Sequence, residues 1–199
     1  MAPLEFSNSV GMPLREALSF VCDVLVGFDL KKDIRVIASG KTFSGFHLVK
    51  NLALGADMCN SARGMMVALG CVQSLECNTN KCPTGIATQD PKLTRGLVVP
   101  DKAERVARYH KATVNSALEI IASAGLRDTS DLNRSHIFRR VSETEVRRFD
   151  EIYASPVPGS FFHEDTPTKF AQALAESCAE SFLPKHFVAE TDEGLKEVS

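Results

Sequence analysis

The chain has 199 residues, of which 44% are hydrophobic and 24% are charged, proportions typical of a soluble globular protein with one core. The formal net charge of −2 argues against nucleic acid or an anionic membrane surface as a partner. No run approaches the roughly 20 apolar residues of a membrane-spanning helix. No charged-then-apolar leader is recognisable, so the six cysteines predict reduced thiols in the cytoplasm.

The first part of the chain predicts alternating helices and strands. Helices are predicted over residues 14–28, 46–54 and 65–69, and buried strands over residues 34–38 and 56–59. The order helix, strand, helix, strand, helix indicates βα units and a parallel sheet. The first helix is predicted to bury an apolar stripe at helical spacing, made of Leu14, Ala17, Leu18, Val21 and Leu25.

Three cysteines, Cys71, Cys77 and Cys82, lie in one short run with the spacing C-x5-C-x4-C, followed by a proline. A structural zinc site prefers four ligands in closely spaced pairs, but this run has three thiols and no histidine occurs in residues 49–105. Iron–sulfur clusters are held by thiolates in irregular loops. The run therefore favours a cluster with three irons, with buried or disulfide-bonded cysteines as the alternative. The other cysteines are predicted to be structural: Cys22, Cys59 and Cys178.

The longest predicted helix covers residues 101–124, with Asp101 as a plausible N-cap and Gly125 at its end. His110 lies beside its apolar stripe and is expected to be packed or solvated rather than catalytic. The stripe itself consists of Val106, Tyr109, Thr113, Ala117, Leu118 and Ile121.

After this helix, a helical hairpin is predicted through residues 129–132, 136–140 and 143–152, with its arginines on a solvated face among glutamates. An amphipathic helix is predicted over residues 168–182. The final ten residues are charged and are predicted to be disordered.

The segment from Ile37 to Pro91 resembles the end of the FMN-binding domain of glutamate synthase, most specifically in the motif C-P-T-G-I-A-T-Q-D-P that begins at Cys82. It is more similar still to the shorter FMN-binding proteins of the glutamate synthase family. The resemblance covers about residues 3 to 162. It implies an α/β fold, the C-terminal portion of a (β/α)8 TIM-type barrel with a helical C-terminal extension, in which the two predicted strands would be the seventh and eighth.

The resemblance implies two cofactors, FMN and a 3Fe–4S cluster. The cluster ligands would be Cys71, Cys77 and Cys82. Barrels of this kind commonly bind phosphate with the loops that follow strands seven and eight, so the expected FMN-binding residues are Ser39, Gly40, Lys41, Asn60, Ser61, Ala62 and Arg63. Taken alone, the same residues are typical of ordinary strand-to-helix turns with a surface arginine.

Within these loops, glycine lets the backbone approach a phosphate, and Lys41 could add a positive charge. Ser61 could cap the following helix, and Arg63 could pair with phosphate or lie near the flavin ring. In the cysteine run, polar side chains could either donate hydrogen bonds to sulfur or cap turns, and both interpretations stay open for Asn78, Thr79, Asn80 and Thr84.

The activity implied by the resemblance is hydride transfer from reduced FMN to 2-iminoglutarate, which gives L-glutamate, with electrons relayed through the cluster. The implied substrates are 2-oxoglutarate and ammonia or glutamine-derived nitrogen. No catalytic side chain is identified, and no glutaminase nucleophile is visible, so the nitrogen source is expected elsewhere.

The expected domains are a partial FMN-binding barrel (residues 1–127) with its iron–sulfur loop at residues 71–82, a helical part of the same domain (128–162) and a tail (163–199). A complete barrel takes roughly 250 residues, so we expect a fragment whose activity needs a companion chain with the remaining strands. Two alternatives stand beside this hypothesis. One is a non-catalytic iron–sulfur electron-transfer module or truncated remnant, and the weaker one is a structural zinc module.

Overall fold

The computed structural model describes residues 6, 9–163 and 166–181. Its first part alternates helices and strands, as the sequence predicts. The elements are α1 (Leu14–Gly27), β1 (Ile37–Ser39), α2 (Gly45–Ala53), β2 (Met58–Asn60) and α3 (Arg63–Ala68). Each predicted element is present, with ends displaced by up to three residues. The buried face of α1 differs slightly from the predicted stripe. Ser19 and Cys22 are buried, whereas Val21, a member of that stripe, is 46% exposed.

Strands β1 and β2 pair in parallel, with Ile37 opposite Met58 and Ser39 opposite Asn60. The prediction that both strands are buried is wrong for this part of the chain. Ala38 is 1% exposed, but Ile37 and Met58 on the other face are about half exposed. Ala38 belongs to the hydrophobic core, whereas the opposite face of the strand pair stays about half open to solvent within the described residues.

Helices α4 (Pro91–Thr94) and α5 (Val99–Ser123) follow the cysteine run. The predicted N-cap of α5 is wrong. Val98 is the N-cap, and Asp101 lies within the first turn, where its carboxylate pairs with Lys102 at 3.2 Å. The physical reason is the proline near the start of the helix, because its fixed φ suits the first turn. On the predicted stripe, Ala117 and Ile121 are buried.

Residues 138–148 form a β-hairpin within the segment where a helical hairpin was predicted. Two short 3-10 turns, Thr129–Asp131 and Arg134–His136, lead into strands β3 (Phe138–Arg140) and β4 (Val146–Arg148), which pair antiparallel. The Val141 N–H donates to the Glu145 carbonyl at 3.0 Å and closes the turn. A one-turn helix, α6 (Phe149–Ile152), follows directly. The arginine side chains on the strands are exposed, as predicted, and two of them form ion pairs: Arg147 with Glu145, and Arg148 with Asp150 and Glu151.

The core joins the first elements to this hairpin region. Its buried members come from α1, β1, α2, α5 and the segment 132–149, and are Leu18, Cys22, Ala38, Val49, Ala53, Leu54, Ala56, Ala117, Ile121, Leu132, Ile137 and Phe149. A buried ion pair reinforces the connection: both terminal nitrogens of Arg134 donate to Asp23, at 2.7 and 3.3 Å. Arg134 also donates to the carbonyls of Tyr153 and Leu54.

A last helix, α7 (Thr168–Glu176), packs against α1 through aromatic contacts. Phe170 stacks on Phe20, with ring centroids 5.3 Å apart, and also contacts Phe161. The amphipathic helix is therefore confirmed up to residue 176, but its predicted continuation is wrong, because Ser177 is extended and residues 177–181 are not helical. The predicted disordered terminus lies outside the described residues. No helix in the described part of the chain has the length and apolarity needed to cross a membrane.

Candidate functional site

The carboxyl ends of the two parallel strands bring the predicted FMN-binding residues together. Because Ser39 lies opposite Asn60 in the register, both strands end at the same edge of the sheet. The segments that follow, residues 39–44 and 60–64, are here called the strand-end loops. All seven predicted residues lie in these loops, which places them side by side. In open α/β sheets, ligands bind at this edge, outside the carboxyl ends of the strands.

The first strand-end loop turns sharply after β1. Gly40 has φ +150° and Lys41 has φ +52°, and a Cβ on Gly40 would lie 3.3 Å from the Leu14 side chain. The loop then enters the core at Thr42, which is 3% exposed. There the buried amide of Asn51 donates to the Thr42 hydroxyl at 3.2 Å. The glycine at position 40 therefore fits both the unusual backbone and the close approach of α1.

The second strand-end loop is held by Ser61, although not in the way the sequence predicts. The prediction that Ser61 caps α3 is wrong: the N-cap is Ala62, and the cap makes no side-chain hydrogen bond. The Ser61 hydroxyl instead donates to the Thr42 carbonyl at 2.5 Å. This bond ties the two strand-end loops together, because Thr42 belongs to the first and Ser61 to the second.

Tyr109 on α5 contacts both strand-end loops, and sequence reasoning assigned it only to an apolar stripe. Its hydroxyl donates to the Phe43 carbonyl at 2.9 Å. A Cβ on Gly64 would lie 2.2 Å from the same hydroxyl oxygen. A tyrosine within the predicted stripe was the available signal, since the ring of a partly buried tyrosine packs while its hydroxyl usually finds a hydrogen-bond partner.

The cysteine loop, residues 71–90, begins three residues after α3 ends. Its backbone is unusual, because three non-glycine residues have positive φ: Gln73, Leu75 and Asn80. The side-chain hydrogen bonds that shape it are local. Asn80 accepts from the Gln89 N–H at 2.6 Å and from the Thr88 hydroxyl through both its side chain and its carbonyl. The Thr79 hydroxyl donates to the Glu76 carbonyl at 3.0 Å and accepts from the Lys81 N–H at 3.3 Å, so Thr79 caps a turn, one of the two roles left open by the sequence. Asn80 instead joins two separate parts of the loop.

Two of the three sulfurs in this loop take part in hydrogen bonds. The Thr84 hydroxyl lies 3.3 Å from the Cys82 sulfur, and the Gln73 N–H donates to the Cys71 sulfur at 3.4 Å. Hydrogen bonds from Thr84 and from backbone N–H groups, Ala87 foremost, lower the pKa of the Cys82 thiol to about 7. Thr84 is therefore a hydrogen-bond partner of a cysteine sulfur, the second of the two roles that the sequence left open.

Two cysteines elsewhere in the chain, Cys22 and Cys59, have the opposite character. Burial raises the pKa of the Cys22 thiol to about 11 and also raises the pKa of Cys59. All six cysteines lie within the described residues and carry free thiols. A thiolate is the form that ligates metal, so the chemistry of Cys82 suits a cluster ligand, whereas Cys22 and Cys59 suit the predicted structural role.

The three sulfurs of the cysteine loop are not gathered into a ready-made metal site. Within residues 9–163 and 166–181, no group of three or more histidine, cysteine, aspartate or glutamate side chains is arranged to hold a metal ion. The donor set still fits a thiolate-bound cluster in its chemistry, because N–H and O–H groups stabilise negative charge on sulfur. The loop therefore supplies thiol ligands of suitable chemistry, but their sulfur atoms do not converge on one point.

The sequence of the chain matches the conserved region of glutamate synthase over residues 1–127. The chain belongs to the glutamate synthase family. This confirms the resemblance drawn from the cysteine run and its neighbouring motif. The mixed α/β architecture is compatible with a fragment of a glutamate synthase domain.

The relatives of this family member are much longer proteins. The glutamate synthase large subunit-like protein YerD of Bacillus subtilis is 35% identical over 148 residues, which are 74% of this chain and 28% of YerD. The archaeal glutamate synthase (NADPH) of Methanocaldococcus jannaschii is 37% identical over 131 residues, 66% of this chain and 26% of the relative. The glutamate synthase (NADPH) large chain of Azospirillum brasilense is 29% identical over 147 residues, 73% and 10% respectively. The chain therefore spans less than a third of the length of these curated relatives.

Proposed function

We propose that this chain is the part of a glutamate synthase-type oxidoreductase that holds the phosphate of FMN and supplies the ligands of a 3Fe–4S cluster. The observation that carries the proposal is the shared edge at the ends of β1 and β2, from which α3 leads directly into the cysteine loop. One short stretch of chain thus presents both candidate sites. We place the protein in the cytoplasm, where its free thiols would stay reduced.

In this proposal the strand-end loops bind the FMN phosphate. Loop N–H groups beside Gly40 would approach the phosphate, since a glycine leaves room for close backbone contact. Lys41 and Arg63 would add positive charge, and Arg63 can form two parallel hydrogen bonds to a phosphate. The remaining expected contacts are Ser39, Asn60, Ser61 and Ala62.

In the same proposal Cys71, Cys77 and Cys82 hold the cluster. The hydrogen bonds to the sulfurs of Cys71 and Cys82 would stabilise the thiolates and set how readily the site accepts an electron. When bound, the cluster would relay single electrons to FMN, and reduced FMN would supply the hydride that, with one proton, converts 2-iminoglutarate, formed from 2-oxoglutarate and ammonia or glutamine-derived nitrogen, to L-glutamate.

The proposal also requires further strands, which would complete a (β/α)8 barrel. Parallel sheets are almost always covered on both faces, yet Ile37 and Met58 are about half exposed on one face of this strand pair. A groove of about 410 Å³ beside β2 is lined by apolar side chains of α5 as well as by Met58. We propose that additional barrel strands, carried by a companion chain or by more of the same polypeptide, cover this face.

The decisive experiment is anaerobic reconstitution of the full chain with iron, sulfide and FMN, followed by metal, sulfide and flavin analysis. We expect broad visible absorbance and about three irons per chain. Cys77→Ser should abolish iron binding, whereas the control Cys178→Ser, a cysteine remote from the loop, should retain it.

Each other outcome separates the competing hypotheses. Iron and sulfide without FMN would favour the iron–sulfur electron-transfer module. Zinc bound in preference to iron would favour the structural zinc module. Binding of neither cofactor, with folding intact, would contradict both proposed sites in this chain.

A further inference from the structure

The Tyr109 side chain lies where the two strand-end loops and α5 meet. Its hydroxyl donates to a carbonyl of the first loop, that of Phe43, at 2.9 Å across 66 residues of sequence. The same oxygen fills the space beside Gly64 in the second loop, where a Cβ would approach it to 2.2 Å. One phenol group therefore contacts both loops.

Two further contacts connect the two loops to each other and to α5. The Ser61 hydroxyl joins the second loop to the Thr42 carbonyl of the first at 2.5 Å. On the other side, α5 lies so close to the start of α2 that a Cβ on Gly45 would be 2.5 Å from the Ala117 nitrogen. The first loop runs between these two attachments, so helix α5 serves as the common support of both loops.

We propose that Tyr109 is a positioning residue that locks the two strand-end loops to each other. The further claim that this lock sets the geometry of an anion site rests on the proposed binding of FMN phosphate at these loops. Tyr109 acts through the Phe43 carbonyl and the close approach to Gly64. Neither contact uses the predicted phosphate-binding groups themselves. Removing the hydroxyl should therefore loosen both loops together while leaving their own side chains intact.

The first test compares hydrogen–deuterium exchange in Tyr109→Phe and Tyr153→Phe. The chain has two tyrosines, and the hydroxyl of Tyr153 also donates a hydrogen bond, to Glu16 at 3.1 Å. We expect Tyr109→Phe to speed exchange in both strand-end loops by about 2- to 10-fold, the effect of one lost hydrogen bond. Tyr153→Phe should leave both loops unchanged. Unchanged exchange in Tyr109→Phe, or faster exchange in one loop only, would overturn the lock.

The second test uses Gly64→Ala, alone and combined with Tyr109→Phe. The added methyl group would lie 2.2 Å from the tyrosine hydroxyl and 2.7 Å from the Ser61 hydroxyl, so Gly64→Ala alone should speed exchange in both loops. The double variant should exchange more slowly than Gly64→Ala, because removing the tyrosine hydroxyl relieves the closer of the two collisions. If the changes in exchange rate caused by the two single substitutions simply add in the double variant, Tyr109 and Gly64 do not interact.

The third test measures binding of FMN and of riboflavin, which lacks the phosphate, to the same variants. We expect Tyr109→Phe to raise the dissociation constant for FMN by about 2- to 10-fold and to leave that for riboflavin unchanged. Equal weakening of both ligands would contradict a role at the phosphate. If the unmodified chain binds neither ligand, the proposed flavin site fails in this chain, while the exchange tests still decide whether the lock exists.

Discussion

The strand-end loops and the cysteine loop are neighbours in the chain, but they are held in different ways. The strand-end loops are fixed by contacts between distant residues, among them Ser61 with Thr42 and Tyr109 with Phe43, and Thr42 is 3% exposed. In the cysteine loop, the side-chain hydrogen bonds join residues at most nine positions apart. Val72 and Leu75 in that loop are more than 60% exposed.

This difference indicates two strategies for building a site. The strand-end loops are shaped by the fold before any ligand arrives, so binding there would require little reorganisation. The cysteine loop has suitable ligands in an unusual backbone, yet its sulfurs are not convergent. A cluster bound there would supply the missing long-range support, as metals do in many small sites.

The largest expected effect comes from breaking the buried ion pair that joins α1 to the hairpin region. Arg134→Met leaves the Asp23 carboxylate buried and unpaired, and burial already raises the pKa of this carboxyl despite its bonds to Arg134. We expect the free energy of unfolding to fall by about 3–5 kcal/mol, measured by urea denaturation. Local exchange in the cysteine loop should change far less, because its hydrogen bonds are its own.

The matched control is the double variant Asp23→Leu with Arg134→Met. It replaces both charges with apolar groups and should recover most of the lost stability. If Arg134→Met alone were as stable as the unmodified chain, the hairpin region would not support the fold in the way described.

The second prediction concerns loading of the cysteine loop with iron and sulfide. Binding to the folded state alone stabilises by about 2.7 kcal/mol when the free ligand exceeds its dissociation constant 100-fold. We expect hydrogen exchange in residues 71–90 to slow accordingly, while exchange in the strand-end loops changes much less. Cys77→Ser should remove the protection. Equal protection of both regions would mean that they form one cooperative unit.

The sequence predicts the first half of the fold well, because its helices and strands carry clear periodicity. Each of the elements from α1 to β2 was expected within three residues of its observed ends. The burial of the strands was not predictable in this way. Whether Ile37 and Met58 are covered depends on which layers lie against them, and a three-residue strand does not encode its neighbours.

The segment 136–152 shows where a local pattern is ambiguous. Its arginines and glutamates fit helical charge pairs, but they fit alternation along strands equally well. In residues 138–148, the hydrogen bond between Val141 and Glu145 that closes the hairpin, together with core packing of Ile137 and Phe149 on either side of it, selects strands over helix.

For the candidate site, the sequence predicts which residues lie together but not what holds them. The strand order alone places Ser39 beside Asn60. The contacts of Ser61 and Tyr109, by contrast, join residues 19 and 66 positions apart. Side-chain partners at such separations depend on how the helices pack, and the local spacing of residues in the sequence does not predict them.

The third prediction tests the local support of the cysteine loop. Asn80→Gly preserves a backbone suited to φ +65° but removes the side-chain oxygen that accepts from the Gln89 N–H. We expect exchange in residues 86–90 to be faster by an amount equivalent to about 1 kcal/mol. The control Gln73→Gly, also at a positive φ, should be neutral or slightly stabilising, since its backbone N–H to Cys71 is kept. Equal loosening in both variants would assign the effect to glycine itself rather than to the lost bond.

The smallest expected effect lies at the opposite ends of the same two strands, where Asp57 joins them. Its carboxylate accepts from Lys31 and from the Val36 N–H, both at 2.7 Å. Burial alone would raise the pKa of this carboxyl, but these bonds and nearby Arg35 outweigh burial and lower the pKa below its usual value.

Because the pKa of Asp57 is lower in the folded state than in the unfolded state, its contribution to stability is fully present above the unfolded value of about 3.9. The contribution is lost as the pH falls through the folded value. We expect Asp57→Asn to cost at most about 1 kcal/mol at pH 7 and to flatten the decline in stability below about pH 4. Asp33→Asn, which removes an exposed carboxylate nearby, should keep the full decline. An unaltered acid profile in Asp57→Asn would mean that the strand pair, and with it the alignment of the strand-end loops, does not depend on this carboxylate.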